Sequence, residues 1–191
     1  MKALILDGSL KDEESLQIAE KTIVGKLESS GWDTEIMRLR ERKVADCLGC
    51  FGCWLKTPGI CVIDDDGRNI AKAFINSDLV VFLTPVTFGG YSSELKKAVD
   101  RLIPTVLPYF KTIHGETHHG PRYVKYPNAV FIGLLQSDDA EAARIFNALA
   151  YRNTINFYCK AYAVDTITPD ETRGSIEANI QNVLRDMGVV Q

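Results

Sequence analysis

Ala3-Leu-Ile-Leu-Asp7 runs straight into Gly8-Ser9-Leu10-Lys11, and Ser15-Leu16 then opens a segment of helical period. A continuous apolar run of this length reads as a strand buried on both faces, the habit of parallel sheets. The same pairing recurs along the chain. Strands are expected near Ala3–Asp7, Thr34–Arg38, Leu79–Thr84, Ala129–Leu135 and Ala161–Thr166, the second being weakly apolar and therefore an edge. Between and after them, apolar stripes at helical spacing appear at Leu16, Ala19, Ile23 and Leu27; at Ile70, Ala73 and Phe74; at Leu95, Val99 and Leu102; at Ala142, Phe146 and Leu149; and at Ile176, Ile180, Val183, Leu184 and Met187. Five βα units predict one α/β domain spanning residues 1–191, interrupted by a cysteine-rich loop at 45–62 and a long irregular loop at 104–127. Asp138 with Glu141 reads as a capping box, and Asp64-Asp65-Asp66 as acids favoured at a helix start.

Lysine and arginine total 22 against 25 acids, a net charge of −3. Such a balance offers no basic footprint for nucleic acid. No apolar run reaches membrane-spanning length, and Met1-Lys2 enters the first strand with no secretory pattern. A cytoplasmic location without membrane attachment is the expectation, consistent with thiols kept reduced.

In open parallel sheets, ligands lie outside the carboxyl ends of the strands, where the winding reverses. After the first strand, Gly8, Ser9, Lys11 and Ser15 present small residues, hydroxyls and one cation at a helix start, which is a cradle for a phosphate. Neither GxGxxG nor GxxxxGK[ST] is present, so a Rossmann dinucleotide site and a P-loop are disfavoured. The third strand ends in Thr84-Pro85-Val86-Thr87-Phe88-Gly89-Gly90-Tyr91-Ser92, where a proline-set bend, an aromatic and two glycines allow a flat ring system to lie against backbone.

Four of the five cysteines, Cys47, Cys50, Cys53 and Cys61, fall in one segment, the first three spaced CxxCxxC. Soft thiolates at that spacing suit an iron–sulfur cluster, with Gly49 and Gly52 supplying bends. A Cys50–Cys53 disulfide, reduced thiols lining a pocket and a decayed cluster site stand beside that reading. His114, His118 and His119 share the long loop; HExxH is absent and two glycines oppose a helix, so they are expected at a surface or interface. Cys159, beside Phe157 and Tyr158, reads as a small core hydrophobe. No serine, histidine and acid elbow supports hydrolase chemistry.

The order of the Gly8-Ser9-x-Lys11 loop with Ser15, the CxxCxxC loop leading through Cys61 to Asp64-Asp65-Asp66, and the Thr84-Pro85-Val86 turn leading to Leu95-Lys96 and Asp100-Arg101 resembles the flavodoxin-like NAD(P)H-dependent FMN reductases, in particular their iron–sulfur flavoprotein branch. The resemblance implies a flavodoxin-like, doubly wound, five-stranded parallel sheet in the order 2-1-3-4-5 with helices on both faces. It implies that Ser9, Lys11, Ser15 and Leu16 hold the phosphate of non-covalent FMN, and that Pro85, Val86, Thr87, Phe88, Gly89, Gly90 and Gln136 hold its ring. Cys47, Cys50, Cys53 and Cys61 would ligate a [4Fe–4S] cluster. The implied activity is an oxidoreductase: NAD(P)H enters as co-substrate, passes hydride to bound FMN, and electrons leave to a quinone, flavin, oxygen or iron–sulfur cluster. A non-enzymatic electron carrier between protein partners is the alternative. The expected assembly is a homo-oligomer, dimer or tetramer. Three stretches depart from the family pattern: the acidic Asp12-Glu13-Glu14 beside the phosphate, Thr87 where a tyrosine is common, and Leu134-Leu135-Gln136-Ser137 in place of a glycine pair. The acids cost phosphate affinity unless they point outward.

Overall fold

The computed structural model describes residues 1–190. Five strands, β1 (Lys2–Asp7), β2 (Asp33–Arg38), β3 (Leu79–Pro85), β6 (Asn128–Leu134) and β7 (Tyr162–Ile167), pair in parallel in the order β2-β1-β3-β6-β7. This is the expected 2-1-3-4-5 winding, with β2 at an edge. Register is continuous across the centre: Leu6 lies opposite Phe82, Phe82 opposite Phe131, and Pro85 opposite Leu134.

Both faces of the sheet are buried, and strand alternation sends successive residues to opposite layers. Ala3, Ile5, Val81, Leu83, Val130 and Ile132 pack under α1 (Glu14–Ser29) and α6 (Arg173–Asp186). Leu4, Leu6, Val80, Phe82 and Phe131 pack under α3 (Asp66–Ile75), α4 (Ser93–Asp100) and α5 (Ala140–Asn156). Phe82 and Phe131 stack at 4.5 Å between ring centres, which places rigid aromatic mass beneath the strand ends.

Residues 104–127 are not irregular. They contain an antiparallel hairpin, β4 (Val106–Ile113) and β5 (Glu116–Pro121). The turn is His114-Gly115, both at positive φ (50° and 81°), the geometry a two-residue hairpin requires. Histidine in place of the usual asparagine or aspartate hides that signal. His118 is buried, not a surface residue, with Nδ1 2.8 Å from Asn156 Oδ1 on α5. Helix starts also differ in detail. Asp139, not Asp138, caps α5 by accepting from the Glu141 and Ala142 N–H groups, while Asp65 caps α3 and Thr172 caps α6.

Candidate functional site

The carboxyl ends of β1, β3 and β6 meet at one edge, where Ser92, the N-cap of α4, ties the end of β1 to that of β3. Its hydroxyl donates to Gly8 O (2.6 Å) and accepts from Leu95 N–H; its own N–H donates to Thr84 Oγ1 (2.9 Å). Gly8 N–H donates to Leu83 O, and Val86 N–H to Leu134 O. A Cβ on Gly8 would stand 2.7 Å from Leu95 Cβ, so glycine is required for α4 to approach the β1 loop. Thr84 and Ser92 bound the turn expected from the sequence, but their role in tying strand ends was not foreseen. Their signals are a serine three residues before Leu95 and one hydroxyl ending an apolar run.

Ser9 and Ser15 are buried at the first loop, and Lys11 is exposed there. Helix α1 has no side-chain cap at Glu13, so the Glu14, Ser15 and Leu16 N–H groups lack intrahelical partners, an arrangement that suits an anion. Of the acids that depart from the family pattern, Asp12 forms an ion pair with Arg40. That pairing sets a cation against its charge.

At the second loop, Thr87 N–H donates to Gly90 O and Gly90 N–H to Thr87 O, closing a tight turn with Phe88 and Gly89 at positive φ (51° and 73°). Phe88 is fully exposed at the tip. Positive φ at phenylalanine is strained, and such strain gathers at functional sites. A Cβ at Gly89 would meet Ile145 at 2.5 Å, so glycine there also lets α5 approach the turn. Gln136 is exposed just past β6, alongside the end of β3. The structure therefore brings Ser9, Lys11, Ser15, Leu16, Pro85 to Gly90 and Gln136 to one edge, with serines, a cation and open amides at one side and a turn beside apolar strand ends at the other. These residues fit a phosphate-bearing flat ring system.

The cysteine loop is held at its base just past the end of α4 opposite Ser92. Arg101, with a fully buried side chain, donates to both Asp65 carboxylate oxygens (2.7 and 2.8 Å), to Ala45 O before the cysteines and to Ile63 O after them. Burial alone would raise the Asp65 carboxyl, but hydrogen bonds from Arg101 and from the Ala45 and Gly67 N–H groups hold it below its ordinary value. Arg68 donates to Cys61 O, and Trp54 Nε1–H to Val106 O on the hairpin. All four thiols are free; Cys47 and Cys50 are exposed, and Cys53 is buried in α2 (Gly52–Leu55). Burial, then the neighbouring Cys61, Cys47 and Cys50, push the Cys53 thiol up. The donor set is that of an iron–sulfur site in kind and neighbourhood. It is not gathered: among the described residues no three His, Cys, Asp or Glu side chains stand as a metal-holding group. The bends also differ from expectation. Gly49 has positive φ, but the second bend is at Phe51, and Gly52 instead admits Val62, 2.5 Å from where a Cβ would stand. Cys159 packs against the core, its thiol pushed up to about 12 by burial. No helix among the described residues is long and apolar enough to cross a membrane.

Comparison with known proteins agrees with this geometry. The model of the NADPH-dependent FMN reductase family matches residues 1–116. An iron–sulfur flavoprotein of Methanocaldococcus jannaschii is 32% identical over 104 residues, 54% of this chain and 53% of its own length. An FMN-dependent NADPH-azoreductase of Staphylococcus haemolyticus is 31% identical over 102 residues, 53% of this chain and 52% of its own. The chain thus spans about half the length of the curated relatives it matches. Among solved structures, an NAD(P)H:quinone oxidoreductase from Methanothermobacter marburgensis superposes with a TM-score of 0.72 at 12% identity, covering 98% of each chain, and the azoreductase AzrA with 0.71 at 11%, covering 97% of this chain and 98% of its own. At such identity these show the fold. Taken with the family match over more than half its length, the chain belongs to the NADPH-dependent FMN reductase family.

Proposed function

We propose that the protein is an FMN-dependent NAD(P)H oxidoreductase whose flavin lies along the carboxyl ends of β1, β3 and β6. The observation that carries this reading is the convergence, through Ser92, of the uncapped α1 start with the Thr87–Gly90 turn. Ser9, Lys11, Ser15 and the Leu16 amide bind the phosphate by charge-assisted hydrogen bonds. Pro85 to Gly90 and Gln136 orient the ring, with the free N–H groups of Phe88 and Gly89 directed to its polar edge and Phe88 excluding water from one side. When bound, FMN supplies the two-electron chemistry that connects a nicotinamide donor to a small acceptor such as a quinone, flavin or oxygen. The chain's part is orientation, so no side chain is assigned as general acid or base.

Exposed Tyr109 and Phe110 on the hairpin support a homo-oligomer; Tyr126, by contrast, is buried and donates to Thr105 O within its own chain. The cysteine loop is proposed as the place of a [4Fe–4S] cluster through Cys47, Cys50, Cys53 and Cys61, which requires the loop tip to close around iron.

Anaerobic mixing of the FMN-loaded protein with NADPH or NADH tests the enzyme reading. Rapid loss of the oxidised flavin's visible absorption, with no other protein present, is expected. A flavin that stays oxidised would leave a carrier that takes electrons only from protein partners.

A further inference from the structure

The N-cap position of α1 is Glu13, and its carboxyl does not behave as a cap. An N-cap oxygen ordinarily accepts from the N–H groups of the first turn. Glu13 instead turns inward, with Oε2 fully enclosed and without a hydrogen-bond partner. It lines the cavity of about 240 Å³ that also holds Ser9, Lys11 and Leu16.

The other acids around that cavity each have a partner. Asp12 pairs with Arg40 from beyond β2, Glu20 of α1 pairs with Arg38 of β2, and Asp7 at the end of β1 accepts the Ser9 N–H at 2.9 Å. Lys21 lies on the α1 wall. Of the four acids lining the cavity, Glu13 is the one with neither ion pair nor hydrogen bond. Burial raises its carboxyl above the ordinary value; Lys11 opposes this and Asp7 adds to it.

We propose that Glu13 sets the affinity of the cradle for a phosphomonoester: its carboxylate faces Lys11 when no phosphate is bound, and on binding Lys11 turns to the phosphate while Glu13 takes up one proton from solvent. The inference rests on the reading of Ser9, Lys11 and Ser15 as the phosphate cradle. A phosphate dianion next to an enclosed carboxylate leaves two like charges in a poorly solvated place, which favours the neutral acid. The neutral carboxyl gains an O–H that can donate to a phosphate oxygen. Glutamine keeps the shape and a donor without the charge.

Because binding takes up a proton at Glu13, the cost it imposes is largest at high pH and fades as the pH falls into the range where the free carboxyl is already neutral. The phosphate's own second ionisation, near pH 6, runs the other way but is common to both proteins, so the ratio of affinities isolates Glu13. The test is titration of the FMN-free protein with FMN, followed by flavin fluorescence, for the wild type and Glu13→Gln between about pH 5 and 8. Glu13→Gln is expected to bind FMN roughly tenfold tighter near pH 8, the advantage closing toward unity near pH 5. Riboflavin, which lacks the phosphate, should bind both proteins alike. Glu13→Ala should show the same sign should the glutamine variant fold poorly.

Equal or weaker FMN binding by both variants across the range overturns the inference. Ser9→Ala and Lys11→Ala separate the two levels. Weakened FMN binding in that pair with no gain in Glu13→Gln overturns the role of Glu13 alone, and unchanged binding in all four variants overturns the cradle as well.

Discussion

The edge at β1, β3 and β6 and the cysteine loop are built by opposite means. At the edge, backbone groups and two buried hydroxyls, Ser92 and Thr84, lock three strand ends to one another over a sheet already packed on both faces. The cysteine loop has no such floor: one buried ion pair, Asp65–Arg101, closes its two ends, and its tip leaves Cys47, Cys50, Leu48 and Phe51 exposed. A site formed by the core exists before its ligand arrives, whereas a loop clamped at its base acquires a shape at its tip only from what it binds. Helix α4 joins the two, with Ser92 at its start and Arg101 just past its end.

The clamp should give the largest effect. Replacing Arg101 by Met leaves Asp65 buried without its cation, a loss of roughly 3–5 kcal/mol. Denaturant unfolding measures it, and a change below about 1 kcal/mol would show that the loop is held elsewhere. The same pair fixes a pH dependence. Because the folded Asp65 carboxyl lies below its unfolded value, its contribution is present above the unfolded value and is lost as the pH falls through the folded one. Asp65→Asn should flatten the acid limb of the stability profile.

At the edge, Ser9→Ala and Lys11→Ala should each weaken FMN binding by about 1.5–3 kcal/mol, the worth of a hydrogen bond to a charged group, with little change in stability. Titration of the apoprotein and thermal melting together separate these. Ser92→Ala should cost roughly 1–2 kcal/mol of stability, through loss of an N-cap and a buried bond to Gly8 O. Its FMN affinity should fall as well, since the strand ends lose their tie. Smallest in energy is the order of thiol alkylation in the reduced protein. Exposed Cys47 and Cys50 should react first, Cys53 later, and Cys159 last because burial disfavours its thiolate. Arg101→Met should speed Cys53 and leave Cys159 unchanged.

The same contrast runs through what could be read from residues alone. The parallel α/β architecture was legible because buried parallel strands are long apolar runs and each is followed by a helical stripe, while the strand order came with the family resemblance. That these loops share one edge was legible because every strand of a parallel sheet ends on the same side. Hidden were contacts between distant segments of chain. Asp65 reads as a helix cap, which it is, but its bond to Arg101 spans 36 positions and leaves no local trace. The hairpin at 106–121 escaped because His114-Gly115 lacks the usual turn residues and Pro108 interrupts the first strand. Arg40, which neutralises Asp12, lies after an edge strand whose polar character gives no periodic signal.

The claim that flavin rests on a preformed edge while the cysteine loop stands apart is tested most directly by amide hydrogen exchange with and without saturating FMN. Added protection is expected in residues 8–16, 84–92 and 134–137, with the 45–62 segment unchanged. Protection concentrated in 45–62, or spread over the chain without a maximum at the three strand ends, would contradict the account.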